Sequence, residues 1–219
     1  MARLRDVGEF ALIGRLLKAL PGGTRDAARP SATAGAGDES VIVGPGDDAA
    51  VLRPEPGRDL VMTTDAFIAG RHWLDAWNEP RALGVRLARA NLSDLAAMAA
   101  RPRWATLSLG LLGDREVEWV EALQAGVAAA LAADGARLVG GNVVAVKSEE
   151  SLNLTLIGDV LPGGAWTRHG ARAGDVQAGY GPQRLDGRFR PKRRDPPRRE
   201  DLAGDPHALG RRLAAVGRD

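Results

Sequence analysis

The spacing of apolar positions changes several times along the chain, and each change predicts an element. Over residues 8–20 (GEFALIGRLLKAL), Phe10, Ile13, Leu16, Leu17 and Leu20 recur at helical intervals, and Pro21-Gly22-Gly23 ends the pattern. Residues 24–40, rich in Ala, Gly, Pro, Asp and Ser, predict a flexible loop. Val41–Val43 reads as a short strand, followed by the turn Gly44-Pro45-Gly46 and the pair Asp47-Asp48; residues 49–52 resume extended chain. A β-rich run at 59–65 (DLVMTTD) ends on another carboxylate. Residues 80–100 predict a helix opened by Pro80, and 103–112 a strand. A second long helix starts at Asp114, carries Glu116 and Glu118 where acids favour the helix dipole, and presents Val120, Leu123, Val127 and Leu131 on one face before Asp134-Gly135 closes it. Residues 136–142 (ARLVGGN) read as a strand running into a glycine turn, and 151–161 alternate, with Leu152, Leu154 and Leu156 together. Strands alternating with long helices predict an α/β (α+β) domain, a mixed sheet with flanking helices.

After residue 175 no apolar period survives. Residues 176–219 are dominated by Arg, Pro and Gly and carry 11 Lys and Arg against 6 Asp and Glu, so the chain's net charge of +2 comes from this stretch. The expected organisation is an amino-terminal domain at 1–175 followed by a mostly disordered basic tail at 176–219. The domain itself is acidic on balance and offers no basic surface for nucleic acid. The absence of cysteine excludes disulfides and thiol chemistry and suits a reducing compartment. The first residues lack the apolar core of a signal peptide, and no window reaches the roughly 18 apolar residues of a membrane span. The expectation is a cytoplasmic protein with no membrane partner.

Candidate chemistry gathers where apolar elements end. Asp47 and Asp48 follow one strand; Thr63, Thr64 and Asp65 close another; Asn91 and Asp94 lie three apart on a helix, in the largely apolar run NLSDLAAMAA that argues against exposure of Asp94; Gly140, Gly141 and Asn142 close a third strand. Carboxylates, hydroxyls and amide oxygens suit a hard divalent cation such as Mg²⁺, with phosphate completing the shell. Soft ligands are missing, for there are three scattered histidines and no cysteine. Carboxylates brought together repel one another, and a cation relieves them. Each piece also has a plainer reading: a turn at Asp47-Asp48, a helix cap at Thr63-Thr64-Asp65, a solvated Asp94, a glycine turn before Asn142, a loop histidine at His72.

Taken in order, GEF.LI, GPGDDAAVL, TTDAFIAGRHW, NLSDLAAMAARP, LVGGN and RHGARAGD resemble the amino-terminal half of the thiamine-monophosphate kinase family, within the aminoimidazole-ribonucleotide synthetase-like superfamily, over roughly residues 8–175. The resemblance implies Mg²⁺-dependent transfer of the γ-phosphoryl group of ATP to thiamine monophosphate, giving thiamine diphosphate. It implies that Asp48, Thr63, Thr64, Asp65 and Asp94, with Asp47 beside them, hold several magnesium ions; that Gly141 and Asn142 meet ATP and a metal; that Arg168 reaches the nucleotide phosphates; and that His72 faces the thiamine substrate. No strong general base stands out, and none is needed, because the attacking phosphate oxygen is already ionised near neutral pH. The resemblance also implies a homodimer formed through the amino-terminal sheet. Asn142 stands where many members have Asp, His169 where Ser is usual, and the 24–40 loop is long. Beyond residue 175 the family's second α/β domain, which supplies further ligands, has no counterpart, so little turnover is expected of this chain alone. Two alternatives are an inactive nucleotide-binding or dimerising remnant, and another superfamily member of the selenophosphate synthetase or hydrogenase-maturation type, against which TTD followed by AGRHW argues.

Overall fold

The computed structural model describes residues 2–20, 39–76 and 78–170. The tail expected at 176–219, and most of the loop expected at 24–40, lie outside the described residues. A short 3-10 turn at Leu4–Asp6 precedes helix α1 (Glu9–Lys18). Strands β1 (Val41–Val43) and β2 (Val51–Leu52), strand β3 (Asp59–Ile68), helix α2 (Pro80–Ala97), strand β4 (Arg101–Leu112), helix α3 (Val117–Ala133), and strands β5 (Arg137–Val146) and β6 (Ser151–Val160) follow.

Four strands form one sheet in the order β3-β6-β4-β5. β6 runs antiparallel to both its neighbours and β4 parallel to β5, so the sheet is mixed, as the sequence predicts. Alternation decides the faces. Leu152, Leu154 and Leu156 of β6, and Ala105, Leu107, Leu109 and Leu111 of β4, point one way and are buried beneath α2 and α3. Each helix contributes an apolar stripe: Leu83, Leu87 and Leu95 from α2 and, as predicted, Val120, Leu123, Val127 and Leu131 from α3. Fully burying a side chain of this size contributes about 1.5–3 kcal/mol. The two helices cross with backbones in contact. A Cβ at Gly84 would stand 2.0 Å from the Leu123 carbonyl oxygen, and one at Gly126 would stand 2.0 Å from that of Arg81. In α1, Leu12 joins Leu16 in the core, and Gln124 of α3 donates to the Leu16 carbonyl at 2.7 Å.

Several predicted boundaries move, with α2 ending at Ala97 and β4 beginning at Arg101 among them. β3 continues to Ile68 and β5 to Val146, because β6 and β4 offer partners that far: Ile68 pairs with Ser151, and Val146 with Leu112. The strand predicted to stop at a Gly-Gly-Asn turn instead passes through it. A Cβ at Gly141 would meet the Leu107 carbonyl oxygen at 2.1 Å, so the glycine permits close approach of two strands and makes no turn. α3 starts at Val117 and not at Asp114, since Arg115 is held in a turn by its N–H donating to the Leu112 carbonyl at 3.0 Å.

α2 and α3 end alike. Ala100 N–H donates to the Leu95 carbonyl at 2.9 Å and Ala99 N–H to that of Ala96 at 3.0 Å; Ala136 and Gly135 repeat this on Leu131 and Ala132 at 2.9 and 3.1 Å. This paired pattern forces a left-handed residue between cap and exit. α3 places Gly135 there at φ 78°, whereas α2 places Ala99 there at φ 56°.

On the other face, the β1–β2 pair covers only one end of the sheet, where Val41, Trp104 and Val139 form a small separate core and the Trp104 indole donates to Ser40 Oγ at 3.1 Å. Beside it the buried Asp159 carboxylate receives Arg58 at 3.2 Å, Arg101 at 3.0 Å and Arg103 at 3.5 Å. The remainder of this face carries small polar groups, Thr64, Thr106, Ser108, Asn153 and Thr155, flanked by exposed Leu60, Met62 and Val144.

Candidate metal and phosphate site

The seam between β3 and α2 gathers part of the predicted ligand set. Alternation turns Thr63, Asp65 and Phe67 toward α2. Thr63 Oγ1 donates to Asp94 Oδ2 at 2.8 Å across the seam. Burial, and then the negative charge of Asp94, hold the Asp65 carboxyl above the usual aspartate range. The sequence placed Asp94 away from solvent on account of its apolar neighbours. It is exposed: Leu92 and Leu95 on either side take the core, and Asp94 falls on the rim. Asn91, read as sharing its face, is fully buried, with its amide donating to the Leu87 carbonyl at 3.1 Å.

Other predicted residues stand elsewhere. Because β3 does not end at Asp65, Thr64 points to the opposite face, where its hydroxyl lies 3.1 Å from the Leu154 carbonyl and 3.1 Å from Thr155 Oγ1. Asp47 and Asp48 occupy an exposed turn between β1 and β2, with Asp48 N–H donating to Asp47 Oδ1 at 2.9 Å. Among the described residues no three His, Asp or Glu side chains come near enough to hold one metal ion, so these two aspartates do not join Asp65 and Asp94. Gly141 and Asn142 lie on β5, the edge opposite β3. The pairings Asn142–Ser108, Ser108–Asn153 and Asn153–Ala66 put Asn142 three strand spacings, about 14 Å, from the β3 backbone and on the open face. Arg168 is exposed in a turn closed by Gly170 N–H on the Thr167 carbonyl; Trp166 N–H, donating to the Met98 carbonyl at 3.2 Å, pins that segment to the end of α2 that bears Asp94.

His72 closes the turn after β3. Ile68 anchors that turn at both ends of its peptide: its carbonyl accepts from His72 N–H at 2.9 Å, and its N–H donates to His72 Nδ1 at 3.0 Å. The imidazole stacks on Phe67, with centroids 5.7 Å apart and planes 12° apart. The Arg86 guanidinium lies 5.2 Å from the Phe67 ring centre and donates to the His72 carbonyl. Phe67 and Arg86 were not singled out from the sequence. The signal was present: Phe67 is two residues beyond Asp65 on the same strand face, and Arg86 is two helical turns before Asp94 on the same stripe. The seam between β3 and α2 thus has hydroxyl and carboxylate oxygens at one end and a guanidinium and two rings at the other, with Thr63 and Phe67 about 13 Å apart along the strand.

Thr63, Asp65 and Asp94 supply hard oxygen donors only, and the repulsion between a partly desolvated carboxylate and a second one is what a bound hard cation would relieve. The donor set therefore fits that ion.

The fold and site define a class. Residues 46–160 match the family model for AIR synthase related protein, N-terminal domain, and the chain belongs to that family. Within it, the chain is similar to the thiamine-monophosphate kinase of Synechococcus elongatus, 39% identical over 124 residues that are 57% of this chain and 38% of that one. It is also similar to the thiamine-monophosphate kinase of Aquifex aeolicus, 33% identical over 177 residues, 79% of this chain and 48% of that. The crystal structure of thiamine-monophosphate kinase from Stenotrophomonas maltophilia superposes with a TM-score of 0.53 at 36% identity, covering 58% of this chain and 39% of that one. The chain thus spans less than half the length of these relatives. No helix among the described residues is long and apolar enough to cross a membrane.

Proposed function

We propose that residues 1–175 form the amino-terminal domain of a cytoplasmic thiamine-monophosphate kinase, which transfers the γ-phosphoryl group of ATP to the phosphate of thiamine monophosphate. The observation that carries this reading is the meeting of Thr63, Asp65 and Asp94 in a chain similar to enzymes of that name. Asp65 and Asp94, with the Thr63 hydroxyl, would hold Mg²⁺, which when bound supplies neutralisation of phosphate oxygen charge. Thr63 fixes the Asp94 carboxylate by its hydrogen bond. His72 presents a ring N–H toward the acceptor substrate, and Arg168 reaches from the end of α2 toward the nucleotide phosphates. Gly141, Asn142, Thr64, Asp47 and Asp48 belong to parts of the site completed by other surfaces: the second domain of the longer relatives, or a second copy of this chain joined through the open sheet face. The attacking phosphate oxygen, already ionised near neutral pH, needs no base.

The test is calorimetric titration of the purified chain with a non-hydrolysable ATP analogue, with and without Mg²⁺. Binding should require Mg²⁺, and Asp94→Asn should weaken it by at least about tenfold, the lower range even for outer-shell partners of a metal. Binding indifferent to both changes would overturn the reading.

A further inference from the structure

We propose that Arg86 is a positioning residue which locks the His72 turn, so that the imidazole offers its Nε2–H outward as a hydrogen-bond donor to an anionic oxygen of the substrate. The inference deepens the kinase reading above and rests on it for the identity of that oxygen.

Three contacts fix the ring. Ile68 N–H donates to Nδ1 at 3.0 Å, and an accepting Nδ1 leaves the ring proton of the imidazole on Nε2. Phe67 stacks on the ring at 5.7 Å and sets its plane. Arg86 closes the assembly from the helix side: its guanidinium lies over Phe67 and donates to the His72 carbonyl, so one side chain holds both the platform and the backbone of the histidine. Gly70 at φ 75° provides the tight turn that returns His72 to Ile68. Among the described residues, Arg86 is the α2 side chain whose hydrogen bond ties this turn to the helix that also carries Asp94. Arg86 therefore sets the relation between the donor end and the carboxylate end of the seam, while adding positive charge beside the outward ring N–H. A planar guanidinium can stack and donate at once; an ammonium cannot do both in this geometry.

The experiment uses the full chain labelled with ¹⁵N. Long-range proton–nitrogen spectra report the tautomer of His72, assigned by its loss in His72→Gln, and amide exchange reports Ile68. The parent chain should show the proton on Nε2 and a protected Ile68 amide. In Arg86→Met, Ile68 should exchange about tenfold faster, as expected for loss of a net hydrogen bond, and the tautomer preference should be lost, while amides of β6 keep their protection. Thiamine monophosphate should bind about tenfold more weakly. Arg86→Lys should restore the Ile68 protection in part, and Arg86→Leu serves in place of Met if the latter disturbs β6. An unaltered tautomer and unaltered Ile68 exchange in these variants would overturn the proposal whether or not the ligand binds. If the parent chain fails to bind thiamine monophosphate, the kinase reading fails, and the lock is decided by the spectra alone.

Discussion

Asp65 holds its charge partly out of water and beside Asp94, so in the absence of a cation it opposes folding. Asp65→Asn should leave the metal-free chain as stable or more stable, by about 0.5 kcal/mol once solvent screening of the pair is allowed for. It should also abolish any rise in melting temperature on adding Mg²⁺. Thermal unfolding with and without the ion checks both, and a loss of stability in the metal-free variant would contradict the argument. At this scale the sequence was legible where a polar oxygen interrupts apolar chain, hence the meeting of Thr63, Asp65 and Asp94. It misled where one residue's direction depends on how far a strand continues. With Thr64 and Asp65 both inside β3, period two sets them on opposite faces, which a reading of the triplet as a strand end overlooks. Asp94 misled differently: apolar neighbours in a helix lie on other faces, so they do not bury the residue between them.

The two helix ends give a controlled comparison at the level of the element. Both make the same pair of capping bonds, yet Ala99 adopts a left-handed conformation that costs a residue with a Cβ about 1–2 kcal/mol. Ala99→Gly should recover roughly 1 kcal/mol, or about 2–4 °C in melting temperature for a chain of this size, after the greater unfolded freedom of glycine is subtracted. Gly126→Ala should do the reverse. Its methyl would overlap the Arg81 carbonyl oxygen, and prising α2 from α3 should cost about 3 kcal/mol or more in denaturant unfolding. Helices and strands were legible from their apolar periods. Glycine was where that reading failed, because the same residue marks the end of a strand in one place and the contact of two backbones in another. Gly84, Gly126 and Gly141 are of the second kind, and only the partner element reveals it.

For the molecule as a whole, the mixed sheet and its helix layer followed from the order of periods, but the strand order did not, since nothing local to β6 says that it enters between β3 and β4. The open face of that sheet, small and polar with exposed Leu60 and Met62 at its edge, is the surface through which we expect two chains to associate. Light scattering should show a dimer at micromolar concentration. Thr155→Arg, which sets a charge in the middle of that face, should yield a monomer with unchanged far-ultraviolet circular dichroism; a parent chain that is monomeric throughout would contradict this. The insertion of β6 also orders events during synthesis. β3 and β4 have no bridge between them until Val160 has been made. At about 5–20 residues per second, β3 therefore waits roughly 5–20 s, unpaired, after its own last residue. It is a β-prone, apolar segment, of the sort that pairs with the wrong neighbour when left alone. The only charges in it are Asp59 and Asp65, one at its head and one in its middle. The carboxylate that faces Asp94 in the finished protein would thus also be the charge that discourages a nascent strand from pairing wrongly before its partner arrives.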